Sequence, residues 1–90
     1  MPIPMNSIDI RILSVFDEIY RTRSVTAAAE ALDLGQPAVS VALSKRRHHF
    51  GNPLFVRTSS GMDPTPFAEG LAGPVHTVLE ALEAVLSYSN

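Results

Sequence analysis

Residues 24–40 read SVTAAAEALDLGQPAVS and contain two helical patterns separated by a short turn. Thr26 is predicted to cap an alanine-rich helix over 27–32, because a hydroxyl at that position can accept a hydrogen bond from a free backbone N–H. The turn is predicted at Asp33-Leu34-Gly35. Pro37 then opens the next helix, since proline in a first turn forfeits no intrahelical hydrogen bond. Two helices joined by a three-residue turn that contains glycine predict a helix-turn-helix.

A further helix is predicted before this motif. Ser7 can cap it, and its apolar side chains recur every three or four positions, at Ile8, Ile12, Phe16 and Ile19. The helix opened by Pro37 is predicted to run to about Phe50, where Gly51 ends it. The sequence therefore predicts a core of three helices.

The pattern changes after Asn52. Leu54-Phe55-Val56 predicts a short strand, 58–61 a turn, and Met62-Asp63-Pro64 a return strand limited by its proline. This β-hairpin would form the wing of a winged helix-turn-helix. The fold class predicted is therefore mainly α, with a winged helix-turn-helix over residues 1–64.

A long helix is predicted over residues 65–90, with Thr65 as its cap and Pro66 at its first position. Its apolar residues alternate steps of three and four, the a/d spacing of a coiled coil, and predict a dimer interface at Ala68, Leu71, Val75, Val78, Leu82 and Val85. The seam could instead cover the domain's own core, as Phe67, Leu79 and Leu86 indicate for part of the helix. Gly73-Pro74 is expected to bend or locally break it.

Length and composition predict one small domain. The chain has 90 residues, 46% hydrophobic and 18% charged, so its core is marginal and a second copy of the chain would help to stabilise it. The absence of cysteine excludes disulfides and thiolate metal sites. No apolar run approaches the roughly 20 residues of a membrane span, and the first seven residues do not form a signal peptide, so the expected location is the cytoplasm.

The net charge of −2 argues against a nucleic-acid partner, but the distribution of charge argues for one. Residues 1–33 carry −2, and residues 63–90 carry −4 without any lysine or arginine. Residues 34–62 carry +4 without any acidic residue. Because a local cationic surface guides partner choice better than net charge, the middle block is the predicted DNA-facing segment.

The helix that begins at Gln36 has side chains suited to duplex DNA. A major groove about 12 Å wide accepts a helix end, and the amide of Gln36 can pair with both N6 and N7 of adenine. The residues predicted to contact bases are Gln36, Pro37, Ala38 and Val41. The residues predicted to contact phosphates, on the helices and the wing, are Ser24, Thr26, Ser40, Ser44, Lys45, Arg47, Arg57 and Thr58.

Four segments, in this order and at this spacing, resemble the N-terminal domain of LysR-type transcriptional regulators. They are SVTAAAEAL at 24–32, QPAVS at 36–40, FGNPLFVRT at 50–58 and MDPTP at 62–66. The resemblance covers about residues 8–87. The wing and its return strand are most similar to the branch that contains nodulation and aromatic-catabolism activators.

This resemblance implies a bacterial transcription factor that binds an inverted-repeat promoter site in double-stranded DNA as a homodimer. It places a C-terminal effector domain, which senses a small co-inducer in this family, outside these 90 residues. It implies no cofactor for the DNA-binding part. The operator, the co-inducer, activation versus repression, and dimer versus tetramer in the intact regulator stay open.

Two positions depart from the family pattern. Gly35 stands where the family usually has a serine that would cap the next helix and offer a hydroxyl to a phosphate. Arg46 stands where the family usually has leucine, on the inward face three residues after Leu43. Either its guanidinium extends to solvent or an acidic residue of the first helix pairs with it, and lower stability than that of a leucine version is expected.

Other functions find little support. His48 and His49 are adjacent and point to different sides of a helix, so no metal site is predicted. The chain lacks a nucleophile elbow, a glycine-rich phosphate loop and a paired-carboxylate signature, so no enzyme activity is expected. The alternative function is a winged-helix protein-association module that acts through the C-terminal heptad helix.

Overall fold

The computed structural model describes residues 10–88, which form four helices and one β-hairpin. In chain order the elements are α1 (Ile10–Thr22), α2 (Val25–Ala31), α3 (Gln36–Phe50), β1 (Phe55–Thr58), β2 (Gly61–Pro64) and α4 (Pro66–Tyr88). The predicted fold class, a winged helix-turn-helix followed by a long helix, is confirmed. The predicted cap Ser7 and the apolar Ile8 lie outside the described residues.

The core forms around α1, which packs against the other three helices. Val15, Phe16 and Ile19 supply its buried side from α1, and every other element adds at least one side chain. The remaining buried apolar residues are Ala28, Ala29, Val39, Leu43, Leu54, Phe55, Met62, Ala68 and Val75. The rings of Phe16 and Phe55 lie 5.4 Å apart, which ties the wing to the helical core.

The start of α2 differs from the prediction. Ser24, and not Thr26, is the N-cap: its backbone is extended and its hydroxyl accepts the backbone N–H of Ala27 at 3.0 Å. Thr26 lies inside the first turn. Both hydroxyls suit the role, and the chain's exit from α1 at Arg23, with φ of +60°, decides which one has the extended conformation that a cap needs.

Both ends of α3 follow the prediction. Gly35 occupies the N-cap without a side-chain hydrogen bond, and Pro37 lies in the first turn. Gly51 adopts a left-handed conformation with φ of +61° after the last turn. The N–H of Asn52 bonds to the carbonyl of Arg47 at 3.1 Å, which closes a Schellman motif.

The wing is a two-stranded antiparallel hairpin in which Phe55 faces Pro64 and Thr58 faces Gly61. The predicted first strand begins one residue too early, because Leu54 has φ of +66° and cannot join the ladder. The wing docks on the α1–α2 connection through the N–H of Met62, which donates to the carbonyl of Arg23 at 2.9 Å.

Thr65 caps α4 as predicted, accepting the N–H of Ala68 at 3.1 Å. The helix continues through Pro74, so the predicted local break is wrong. Proline removes only the hydrogen bond to the carbonyl of Gly70, and buried side chains on both sides, Ala68 and Val75, hold the helix against the core.

Candidate nucleic-acid interface

The outward side of α3 carries the residues predicted to contact bases. Val39 and Leu43 are buried, and their burial turns the opposite side of the helix toward solvent. The four predicted residues are all exposed: Gln36, Pro37, Ala38 and Val41. Val41 exposes 55% of its surface although it is apolar, as contact with a thymine methyl group requires.

A groove beside this helix face joins three elements, and we call it the wing groove. Its volume is about 570 Å³, and its lining includes Ser24 and Thr26 of the α2 start, Gln36 and Ser40 of α3, and Arg57 of the wing. These five residues are separated by up to 33 positions in the chain. The structure therefore brings together one predicted base contact and four predicted phosphate contacts.

Thr26 positions Gln36 within the wing groove. The Nε2 amide of Gln36 donates a hydrogen bond to the Oγ1 of Thr26. Both side chains are exposed, so the amide is held at the surface and not withdrawn into the core. The side-chain carbonyl of Gln36 remains as an acceptor for a donor on a base edge.

Two predicted phosphate contacts have structural roles outside the wing groove. The hydroxyl of Thr58 donates to the Oδ2 of Asp63 at 3.0 Å and accepts the N–H of Ser60 at 3.2 Å, which holds the hairpin turn. The Nε of Arg47 donates to the carbonyl of Pro53 at 2.9 Å, which ties the end of α3 to the loop before the wing.

Ser44 and Lys45, also predicted phosphate contacts, lie elsewhere on α3. Both are exposed, but they line a second concavity with His48 and His49 and do not line the wing groove. The basic residues of 34–62 therefore lie on two different sides of α3.

Arg46 is buried without a partner. The residue is 8% exposed, and its Nε forms no hydrogen bond. The predicted pairing with an acidic residue of α1 is not found among residues 10–88. The Oδ1 of Asp17 lies 3.7 Å from the Nδ1 of His76, and Glu18 pairs with Arg21. Arg46 borders the same second concavity as Lys45, which agrees with the alternative that its guanidinium extends toward solvent.

Sequence reasoning missed Arg23 as a residue of the interface. Arg23 lines the wing groove, and its guanidinium carbon lies 5.1 Å from the ring centre of Tyr20. Its Nε donates to the carbonyl of Tyr20 at 2.8 Å, so the side chain is anchored. Counting charge by blocks assigned Arg23 to the acidic first third. The sequence signal that could have identified Arg23 is its position directly before Ser24, a predicted phosphate contact.

The predicted dimer seam on α4 is divided by burial. Ala68 and Val75 lie in the chain's own core, 0% and 4% exposed, so their assignment to an open interface is corrected. Leu71 and Leu82 are half-buried. Val78 and Val85 are exposed, as are the neighbouring Leu86 and Tyr88. The alternative that the seam covers the chain's own core holds for the first half of α4, because that half contains the buried residues Ala68 and Val75, and α4 contacts α1 and β2.

The described part of the chain lacks two features, a membrane-spanning helix and a cluster of metal-binding side chains. Between residues 10 and 88, no helix has the length and apolar character needed to span a membrane. Over the same residues, no three histidine, aspartate or glutamate side chains converge in a group able to hold a metal ion.

Comparison with known sequences identifies the family. Residues 10–69 match the model of the bacterial regulatory helix-turn-helix protein, lysR family. The chain is 44% identical over 84 residues to the HTH-type transcriptional activator NahR of Pseudomonas putida, covering 93% of this chain and 28% of NahR. It is 42% identical over 72 residues to nodulation protein D 2 of Bradyrhizobium sp. (strain NC92), covering 80% of this chain and 21% of that protein. The chain thus spans about a quarter of the length of these relatives, of which NahR is named as a transcriptional activator.

Comparison with solved structures agrees. The probable transcriptional regulator PA0477 of Pseudomonas aeruginosa superposes with a TM-score of 0.89 at 37% identity, over 96% of this chain and 29% of that one. The BenM DNA-binding domain, solved in complex with catB site 1 DNA, superposes with a TM-score of 0.83 over 91% of this chain and 92% of that one. At 23% identity, that second likeness concerns the fold alone. The exposed face of α3, the wing beside it and the matched residues together assign this chain to the LysR family of DNA-binding transcription regulators, as a DNA-binding helix-turn-helix domain.

Proposed function

We propose that the chain binds duplex DNA in a sequence-specific manner as a homodimer and selects promoters in the bacterial cytoplasm. The wing groove is the observation that carries this proposal. It brings the start of α2, the first turns of α3 and the wing around one exposed surface, which is where a helix in the major groove needs flanking contacts to the backbone. The wing would lie on the backbone or in the adjacent minor groove.

In this arrangement the first turns of α3 read the sequence. Gln36 would exchange its hydrogen bond with Thr26 for a bidentate contact to adenine, while Pro37, Ala38 and Val41 would provide apolar contact to thymine methyl groups. Replacing Gln36 with alanine should relax discrimination at one base pair by about 1–3 kcal/mol.

Phosphate contacts would position the domain on the duplex. Arg57 is exposed on the wing and lines the wing groove, so Arg57→Ala should weaken binding to all sequences alike. The other proposed contacts are Ser24, Thr26, Ser40, Ser44, Lys45, Arg47 and Thr58. With three to four cationic contacts in each protomer, the slope of log K against log salt should be about −5 to −7.

We propose residues 1–64 as the winged helix-turn-helix domain. Dimerisation would use the distal half of α4, which follows that domain in the chain. Val78 and Val85 are exposed on one side of that helix, with Leu82 half-buried between them. Pairing these side chains with a second copy would remove apolar surface from water. Two α3 helices would then reach the two half-sites of an inverted repeat. A co-inducer or a tetramer would concern only a longer regulator that contains this domain.

A second candidate function is a protein-association module that acts through α4. The exposed apolar side chains of Leu86 and Tyr88, 58% and 93% exposed, favour it because either could pack on a different protein. This module would have no need for the wing groove, so neutralising Lys45 and Arg57 would leave its activity unchanged.

Selection of bound duplexes from a random-sequence pool tests the proposal. We expect enrichment of an inverted repeat and a two-chain complex by analytical ultracentrifugation. The Gln36→Ala variant should lose preference at one symmetric base pair while still binding. Absence of binding at 50 mM salt, or a salt slope near zero, would refute DNA binding and leave the association module. Binding without any enriched sequence would refute specificity alone.

A further inference from the structure

The last two turns of α3 border a shallow cleft outside the wing groove, and we call it the α3 cleft. It has a volume of about 570 Å³ and is lined by Val41, Ser44, Lys45, Arg46, His48 and His49. None of these residues lines the wing groove. Val41, Ser44 and Lys45 of this lining are already among the proposed DNA contacts, whereas Arg46, His48 and His49 are not.

The charge of the cleft suits an anion. Lys45 and Arg46 are cations, two histidines complete the titratable lining, and no carboxylate is among the lining residues. The rings of His49 and Phe50 lie in a T-shaped arrangement with their centres 5.0 Å apart. Basic residues in a last turn also complement the helix dipole, and that role requires no ligand.

Arg46 supplies an independent observation that points to a ligand. It is more than nine-tenths buried, yet its Nε has no hydrogen-bond acceptor. The acidic residues of α1 form other contacts, Asp17 with His76 and Glu18 with Arg21. The Nε atom itself is enclosed, but a guanidinium has five N–H donors, and a phosphate oxygen in the cleft would accept from the donors that face it.

The position of the cleft along α3 indicates which part of DNA it would meet. His48 follows Pro37 by 11 residues, about 16 Å along the helix axis at 1.5 Å per residue. That rise exceeds both the width of the major groove, about 12 Å, and its depth, about 8.5 Å. When the first turn of α3 contacts bases, the last turns of α3, with His48 and His49, therefore extend beyond the groove, whose edges are formed by the phosphate backbone.

We propose that the α3 cleft binds a phosphate of the DNA backbone on the side of α3 away from the wing, through Lys45, Arg46 and the two histidines. This proposal rests on the proposed function, since the phosphate belongs to the bound duplex. Imidazole gains its charge between about pH 8 and pH 5. DNA affinity should therefore rise as the pH falls from 8 to 6, and the histidines are responsible for that rise.

The test uses fluorescence anisotropy with a 30-bp random-sequence duplex, because phosphate contacts do not depend on sequence. The double variant His48→Gln/His49→Gln is compared with wild type at pH 6.0 and 8.0. We expect about five- to tenfold weaker binding per protomer at pH 6.0 and 0.1 M salt, with a salt slope smaller by about 0.9 per protomer. At pH 8.0 the two proteins should differ by less than about twofold.

Two further variants complete the design. His76→Gln is the matched control, because His76 lies on α4 beside Asp17 and outside the cleft, and it should leave the pH dependence intact. The double variant His48→Lys/His49→Lys keeps the charge at both pH values. It should bind DNA tightly at pH 8.0 as well as at pH 6.0 and lose the pH dependence. If the glutamine variant does not fold, this lysine variant still tests the α3 cleft.

The outcomes separate this proposal from the proposed function. If wild type binds no duplex at 50 mM salt, DNA binding itself is refuted. If wild type binds and Arg57→Ala weakens it, but the glutamine variant keeps the wild-type pH profile, only the cleft proposal is overturned. Inorganic phosphate is titrated separately against ¹⁵N-labelled protein. Shifts of the cleft signals with phosphate, without any change in DNA affinity in the variants, would assign the cleft to a free anion and overturn the proposal.

Discussion

Replacing Arg46 with leucine should stabilise the domain. The arginine is 8% exposed and its buried Nε has no hydrogen-bond partner. A buried donor without an acceptor costs about 1–3 kcal/mol, and leucine fills much of the same space without a polar atom. The free energy of unfolding should rise by about that amount. For a domain of 60–100 residues, 1 kcal/mol corresponds to roughly 4–8 °C, so Tm should rise by at least about 4 °C.

The adjacent arginine provides the matched control. Arg47→Leu makes the same substitution one residue later, but it removes the hydrogen bond from Nε to the carbonyl of Pro53 and should lower stability by about 0.5–1.5 kcal/mol. Both variants are measured by thermal unfolding with far-UV circular dichroism at pH 7. The protein concentration is kept constant, because the Tm of a dimer depends on it.

An unchanged or lowered Tm for Arg46→Leu, with Arg47→Leu behaving as expected, would refute the reasoning that the buried Nε without an acceptor destabilises the core. The same variant also bears on the α3 cleft. If Arg46 serves a phosphate, the stabilised protein should bind random-sequence duplex more weakly than wild type. Higher stability accompanied by lower affinity would show that the arginine is kept for binding.

Three other predictions concern the cap of α2, the close approach of Gly61 to the backbone of Arg23, and the proposed dimer. Ser24→Ala should lower the free energy of unfolding by about 0.5–2 kcal/mol in urea titrations because it removes the α2 cap, whereas Thr26→Ala should change it by less than about 0.5 kcal/mol. Gly61→Ala should lower Tm, because the added Cβ would lie 2.6 Å from the carbonyl oxygen of Arg23 at φ of +126°; a Tm equal to that of wild type would mean that the wing can move away. Val85→Asp should shift sedimentation toward the single chain without changing far-UV circular dichroism, and an unaltered two-chain species would place the interface elsewhere.

Features that depend on a few neighbouring residues were predicted well. Gly51 ends α3 and Thr65 opens α4, since capping and left-handed turns are decided within one helical turn. The cap of α2 was misassigned between two suitable hydroxyls, Ser24 and Thr26. The path of the chain out of α1 determines that choice, and no local pattern records it.

The composition of the wing groove was predicted only in part. Gln36 and Arg57 were expected at the interface, but their meeting in one groove depends on how the wing docks. That docking uses the N–H of Met62 on the carbonyl of Arg23, a contact between segments 39 residues apart. Arg23 itself was missed because the charge analysis followed chain position, whereas the groove collects residues by proximity in space.

The sequence by itself determined the helix-turn-helix, the wing and the cationic middle third, because glycine, proline, capping hydroxyls and apolar spacing act over short distances. Tertiary structure decided how each apolar or charged residue is used. A heptad seam has the same spacing whether it packs on its own core or on a second chain, and only the contacts of α4 with α1 and β2 place Val75 inside and leave Val85 outside. Arg46 is likewise a cation in any sequence count. The packing of α3 buries it and leaves its Nε without an acceptor.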